Sequence, residues 1–150
     1  MLLNPPSLTA TKVLFGETPT EKAIWVSMHH KDITRKVKDF LWKHTHRIYR
    51  LGKSWNHIPG YKSRAKCPIC SKYNTLGHII SECDATERET IWNSANELWR
   101  RRYNEDIPAS EGATLGGDPA SFWKEDGKPD STKNCLYKIL VMESAHLIWY

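Results

Sequence analysis

Four residues carry the chemistry that this sequence offers most plainly: Cys67, Cys70, His78 and Cys83, in the pattern C-x2-C-x7-H-x4-C. Two cysteines two residues apart fit a tight turn that aims both sulfurs at one ion. A histidine and a third cysteine a few residues on complete a tetrahedron of Cys₃His type, for which zinc is the best-matched first-row metal. The expectation is one Zn²⁺ per chain. With three thiolates and a neutral imidazole the site carries a net charge of about −1, for which Arg64, Lys66 and Lys72 supply nearby cations. Four protein ligands leave no open position, so the expected role is structural rather than hydrolytic. In so short a segment the free energy of metal binding is free energy of folding. The competing reading makes the three cysteines ordinary buried thiols and His78 a satisfied core histidine. The finger-like spacing in a chain with only Cys 4 argues against it. Cys135 stands apart and reads as a small core residue. Each remaining histidine is uninformative taken singly, and His57 is the nearest reserve ligand.

Charge is strongly segregated around this motif. Residues 31–66 hold eleven Lys or Arg against Asp32 and Asp39, while residues 84–130 hold eleven acids against six bases. A dense basic block of this kind suits a polyanion, although a solvated face is the commoner explanation of any single charge run. The basic residues singled out for nucleic-acid contact are Arg35, Lys36, Lys43, Arg47, Arg50, Lys53, Arg64 and Lys66. Trp42 and Trp55 are the candidates to stack on unpaired bases. The competing reading places most of the tryptophans in the core.

Several elements must position these groups. Thr18-Pro19-Thr20-Glu21 has the form of a capping box and predicts a short helix through about Met28. Ile33, Val37, Phe40, Leu41, Ile48 and Leu51 recur at helical spacing and predict a basic helix over 32–51, with Gly52 as its left-handed cap. On that helix the apolar wedge spans about 100°, with Arg35, Lys36, Lys43, Arg47 and Arg50 opposite it and Trp42 at the edge. Ile91, Trp92, Ala95, Leu98 and Trp99 predict a second amphipathic helix over 85–102, ending in Arg100-Arg101-Arg102, where cations favour the helix dipole. Residues 104–131, rich in Gly, Pro and acids, read as an acidic, mobile linker. Residues 132–150 read as a C-terminal helix cut short by the end of the sequence, and residues 1–17 as a loose lead-in. The expected fold is therefore mainly α: a small helical domain over 18–103, stapled by a CCHC zinc finger or knuckle at 67–83, with disordered flanks.

The order Ile24-Trp25, Asp39-Phe40-Leu41-Trp42-Lys43-His44, Gly52-Lys53-Ser54-Trp55, Ile58-Pro59-Gly60-Tyr61, Arg64-Ala65-Lys66-Cys67-Pro68-Ile69-Cys70, His78-Ile79-Ile80-Ser81-Glu82-Cys83 and Trp92 resembles the reverse-transcriptase zinc-binding domain. That domain lies near the C-terminal end of non-LTR (LINE-type) retrotransposon polyproteins. The fungal version, which follows an RNase H domain, is the more similar, and Glu143-Ser144-Ala145-His146-Leu147-Ile148-Trp149 looks like its closing segment. The resemblance implies a metal set of Cys67, Cys70, His78 and Cys83 and no catalytic residue. It also implies RNA or single-stranded DNA as partner, an RNase H or reverse-transcriptase domain as neighbour, and a nuclear or cytoplasmic ribonucleoprotein as the setting.

No enzymatic activity is expected of the chain itself. The sequence lacks the spaced carboxylates on strands with which a polymerase or RNase H holds Mg²⁺. Tyr103-Asn104-Glu105-Asp106 imitates a polymerase motif, but it follows three arginines rather than lying in an apolar hairpin. No run approaches the roughly 18 apolar residues of a membrane helix, and Met1-Leu2-Leu3-Asn4-Pro5-Pro6 has no signal-peptide character, so an intracellular protein with no membrane partner is expected. Two functions remain in competition. One is nucleic-acid binding through the basic helix; the other is a zinc-stapled protein-interaction scaffold, or an inert transposon remnant.

Overall fold

The computed structural model describes residues 20–108 and 122–150. The chain is mainly helical, and among the described residues β-structure is limited to isolated bridges. Helix α1 spans Glu21–Met28, α2 Arg35–Thr45, α3 Thr86–Tyr103 and α4 Ser131–Trp149. Between α2 and α3 lie two 3₁₀ turns, Gly52–His57 and Lys62–Ala65, and a π-helical turn, His78–Glu82. No described helix is long and apolar enough to cross a membrane.

Helix α1 begins two residues later than the Thr18 capping box predicts. Thr20 has extended backbone angles, and its Oγ1 accepts the Ala23 N–H at 3.2 Å, so Thr20 is the N-cap. Thr18 itself lies outside the described residues, as does the lead-in over 1–17.

The larger difference concerns the basic helix, which runs over Arg35–Thr45 rather than 32–51. Thr34 caps its start by accepting the Val37 N–H at 3.4 Å. At its end Arg47 takes a left-handed φ of 54°. Ile48 then donates to the Lys43 carbonyl and Arg47 to the His44 carbonyl, both at 2.9 Å. This is a Schellman closure, which satisfies carbonyls that the helix end would otherwise orphan. It occurs five residues before the glycine on which the prediction relied. Gly52 is indeed left-handed, with φ 51°, but it opens a 3₁₀ turn instead of ending an α-helix. In consequence Ile48, predicted for the apolar wedge, is exposed, while Ile33, Val37, Phe40 and Leu41 are buried as expected.

Helix α3 matches its expected span closely. Asn104 adopts a left-handed φ of 53° and donates to the Arg100 carbonyl at 2.8 Å, ending the helix after its arginine triplet. Leu98 is exposed, against expectation; Ala95 and Trp99 carry the buried face. The expected linker of 104–131 is anchored at both described ends. Asn96 Oδ1 accepts the Ile107 N–H at 2.8 Å, and the Tyr137 hydroxyl donates to the Pro108 carbonyl. Phe122 packs on Trp99 and Tyr137, with ring centroids 5.4 and 5.3 Å away. Asp130 caps α4 by accepting the Lys133 N–H at 3.0 Å. Residues 109–121 lie outside the described residues.

Two apolar clusters share α4. One joins Met28, Ile33, Val37, Phe40 and Leu41 to Met142 and Ala145, and takes in Leu76 and Ile80 from beside the cysteines. The other gathers Trp99, Tyr137 and Val141, with Tyr103, Ile107 and Phe122 against them. Lys133 lies over the rings of Trp99, Tyr103 and Phe122 and pairs with Glu105 at 2.6 Å. Asp106 accepts from Arg100 Nε at 2.6 Å. Both carboxylates of the Tyr103-Asn104-Glu105-Asp106 segment are thus committed to structural cations.

Candidate metal centre

The Cys67–Cys70 turn sits in a short hairpin. Lys66 and Tyr73 form an antiparallel bridge, Cys67 donates to the Lys72 carbonyl at 2.8 Å, and Ser71 donates to the Cys67 carbonyl at 2.9 Å. Ser71 follows the second cysteine with a left-handed φ of 62°, which reverses the chain and leaves both thiols facing the same space. Asn74 then donates to the Ala65 carbonyl at 2.9 Å and closes the base of the hairpin.

The other two groups come from the π turn. Thr75 Oγ1 accepts the His78 N–H at 3.1 Å, and five residues later Cys83 donates its N–H to the His78 carbonyl at 2.7 Å. An i→i−5 bond widens the turn by one residue relative to an α-helix. It brings the residue five positions on, rather than four, back beside the first, which is the backbone geometry that a His-x4-Cys pair requires. Helix α3 fixes this turn from outside: Trp92 Nε1 donates to the Ile80 carbonyl at 2.8 Å, and Arg88 Nε donates to the Cys83 carbonyl.

The result is a cluster of Cys67, Cys70, His78 and Cys83 whose ligand atoms all lie within 4.8 Å of one another, and which could hold a metal ion. Cys67 and Cys83 sulfurs are 3.6 Å apart, and Cys70 Sγ is 3.2 Å from His78 Nε2. Around a tetrahedral zinc, two sulfurs would stand about 3.8 Å apart and a sulfur and an imidazole nitrogen about 3.6 Å. The observed separations fall within a few tenths of an ångström of both. His78 is 1% exposed, its Nε2 faces the thiols, and its buried Nδ1 has no hydrogen-bond partner, the Glu82 carboxylate lying 4.0 Å off. An imidazole buried with Nε2 aimed at the thiols is placed to serve as a ligand within the cluster. The Cys70 backbone N–H, with His78, holds the Cys67 thiol down at about 6, which favours the thiolate. Burial pushes the Cys83 thiol up.

An open groove of about 510 Å³ runs beside the hairpin, lined by Trp55, Ser63, Arg64, Lys66, Pro68 and Asn74. The Arg64 guanidinium lies over the Trp55 and Tyr61 rings, 5.3 and 5.0 Å from their centroids, and Lys53 Nζ is 5.4 Å above Tyr73. Of the ten predicted nucleic-acid residues the structure gathers Lys53, Trp55, Arg64 and Lys66 around this hairpin and leaves the others elsewhere. Arg35, Lys36 and Trp42 are exposed on α2, where Lys43 pairs with Asp39 at 2.7 Å and Trp42 stacks on His46 with centroids 4.2 Å apart. Arg47 and Arg50 lie past the end of the helix, so they do not extend its face as predicted.

No family model, no curated protein and no solved structure matches this chain.

Sequence reasoning missed two residues that hold the centre in place, Arg88 and Trp92. Trp92 was legible as an apolar helix residue and as part of the family resemblance but not as a donor to the Ile80 carbonyl, and nothing in the spacing of Arg88 marks a partner for the Cys83 carbonyl.

Proposed function

We propose that this chain is a non-catalytic module in which one Zn²⁺, held by Cys67, Cys70, His78 and Cys83, staples a groove that binds single-stranded RNA or DNA. Zinc in such a site supplies folding free energy and no reaction chemistry. The observation that carries this reading is the groove itself: two of its walls, Lys66 and Pro68, flank the first cysteine ligand, so the metal and the nucleic-acid surface share one hairpin. Lys53, Arg64 and Lys66 would neutralise phosphates. Trp55 and Tyr61, with the guanidinium already lying over them, would offer π faces to unpaired bases. The resemblance to the reverse-transcriptase zinc-binding domain supports the same reading, with a ribonucleoprotein of retrotransposon origin as the setting.

The test is fluorescence anisotropy of labelled single-stranded RNA and DNA of one sequence against the zinc-loaded chain over a salt series. The logarithm of affinity should fall linearly with the logarithm of salt, and Lys53→Glu with Arg64→Glu should remove about 0.7 from the slope for each lost phosphate contact. The zinc content of the double variant should be unchanged. Affinity that is insensitive to salt would contradict the proposal. Reversal at Arg47 and Arg50 asks separately whether the loop after α2 contributes.

A second reading has its own observation. Beside the centre an apolar cavity of about 250 Å³ is lined by Cys67, Ile69, Cys83, Ile91, Leu147 and Ile148, among others, and Ile69 and Leu147 are exposed. A zinc-stapled scaffold docking on an RNase H or polymerase domain would use this cavity. It predicts a folded, zinc-loaded chain with no affinity for nucleic acid.

A further inference from the structure

A second group of unlike ligands lies away from the cysteine hairpin. The loop between α1 and α2 carries His30 and Asp32, and Cys135 lies in the first turns of α4, 103 residues further along the chain. Cys135 Sγ is 3.2 Å from Asp32 Oδ2, and His30 Nδ1 is 3.4 Å from the same oxygen. All three ligand atoms lie within 4.8 Å of one another. Each pair has a local explanation, a thiol donating to a carboxylate and a short-range contact within a turn. Neither explains why a thiol, an imidazole and a carboxylate converge on one point.

The donor set is informative. Around a tetrahedral zinc, an imidazole nitrogen and a carboxylate oxygen stand about 3.4 Å apart and a sulfur and an oxygen about 3.6 Å, close to the separations here. One sulfur, one nitrogen and one oxygen suit a borderline-soft cation rather than magnesium or calcium, which take oxygen alone. The side chains of His30 and Asp32 are 33% and 37% exposed, so a fourth position would face water. A thiolate and a carboxylate balance the charge of a divalent ion. Lys31, next in sequence to both loop ligands, and Lys138, one turn beyond Cys135, oppose a cation electrostatically and place the affinity below that of the Cys₃His cluster.

We propose that His30, Asp32 and Cys135 form a second, solvent-open zinc site, distinct from the Cys₃His cluster, that ties the α1–α2 loop to α4. Binding would release the thiol proton of Cys135 to solvent and leave three protein ligands and one water on the ion. That arrangement differs from the closed centre at the hairpin in having a position that can exchange.

The test is titration of the metal-free full chain with Co²⁺, read by visible absorption and native mass spectrometry, followed by displacement with Zn²⁺. Two equivalents should bind. The first should give the intense charge-transfer band of three thiolates, and the second should add a weaker band, as one sulfur in place of three requires. Cys135→Ser and, independently, Asp32→Asn should keep the first equivalent and the helical circular dichroism and lose the second. Saturation at one equivalent in the folded wild type would overturn the site. So would a second equivalent that persists unchanged in both variants, which would place the ion on other groups.

Discussion

Between Ile48 and Thr75 the chain buries little apolar surface beyond Ala65 and Cys67, whereas α3 and α4 bury Ala95, Trp99, Tyr137, Val141, Met142 and Ala145. The first region is made of 3₁₀ turns and a hairpin and shows Tyr61, Ile69 and Tyr73 to solvent. The second is two long helices interlocked through aromatic rings. The packed region can be held by the hydrophobic effect, which scales with the apolar area removed from water. The hairpin region has too little such area, and a bound ion can substitute for a core. The two meet at Leu76 and Ile80, which come from beside the cysteines and enter the apolar cluster of α1, α2 and α4.

The largest expected effect that separates the two regions is removal of the metal. Cys70→Ala should abolish zinc retention at the Cys₃His cluster, and limited proteolysis should then cut within residues 48–75 while α3 and α4 remain intact. Simultaneous cleavage throughout would show that the helices also depend on the ion. Next in size is Trp99→Ala, which empties the centre of the second cluster and should cost about 3–5 kcal/mol in urea denaturation. If the regions are separable, the zinc stoichiometry of this variant should be unaltered at temperatures where it stays folded.

A third prediction concerns pH. Burial, reinforced by Arg47, holds His44 down at about 4, and its buried Nε2 has no hydrogen-bond partner. The unfolded chain therefore takes up this proton more readily than the folded one. Stability from this group is full above about pH 6.5 and falls as pH drops towards 4, by no more than about 3 kcal/mol. The difference between wild type and His44→Gln over that window isolates it, since the thiols are common to both proteins. A pH profile identical in the two would remove His44 from the account.

Two smaller effects of about 1 kcal/mol should fall in opposite directions. Ser71→Gly relieves a left-handed residue in the hairpin and should tighten zinc binding by about fivefold. Thr34→Ala removes the N-cap of α2 and should lower the denaturation midpoint without changing zinc affinity. Isothermal titration with zinc checks the first, and urea denaturation the second.

These differences also explain what could be read from the sequence. The Cys₃His set was legible because its ligands lie within one short stretch, and their spacing is itself a local geometric signal. The span of α3 was legible because Trp92, Ala95 and Trp99 repeat at helical period. The end of α2 was not: an arginine in a left-handed closure competes with Gly52, and only the backbone bonds of Arg47 and Ile48 decide between them. The π turn was equally hidden, since no residue type marks an i→i−5 bond. The convergence of Cys135 on Asp32 depends on how α4 packs against the α1–α2 loop, which no local pattern encodes.

The most direct test of a metal-held region beside a packed one is amide hydrogen exchange on the zinc-loaded chain, before and after chelation. Protection of the hairpin amides of Cys67, Ser71 and Asn74 should collapse on chelation, while Val37–Leu41 and Tyr137–Ala145 keep theirs. Unchanged protection in the hairpin would contradict the claim that the metal holds this region.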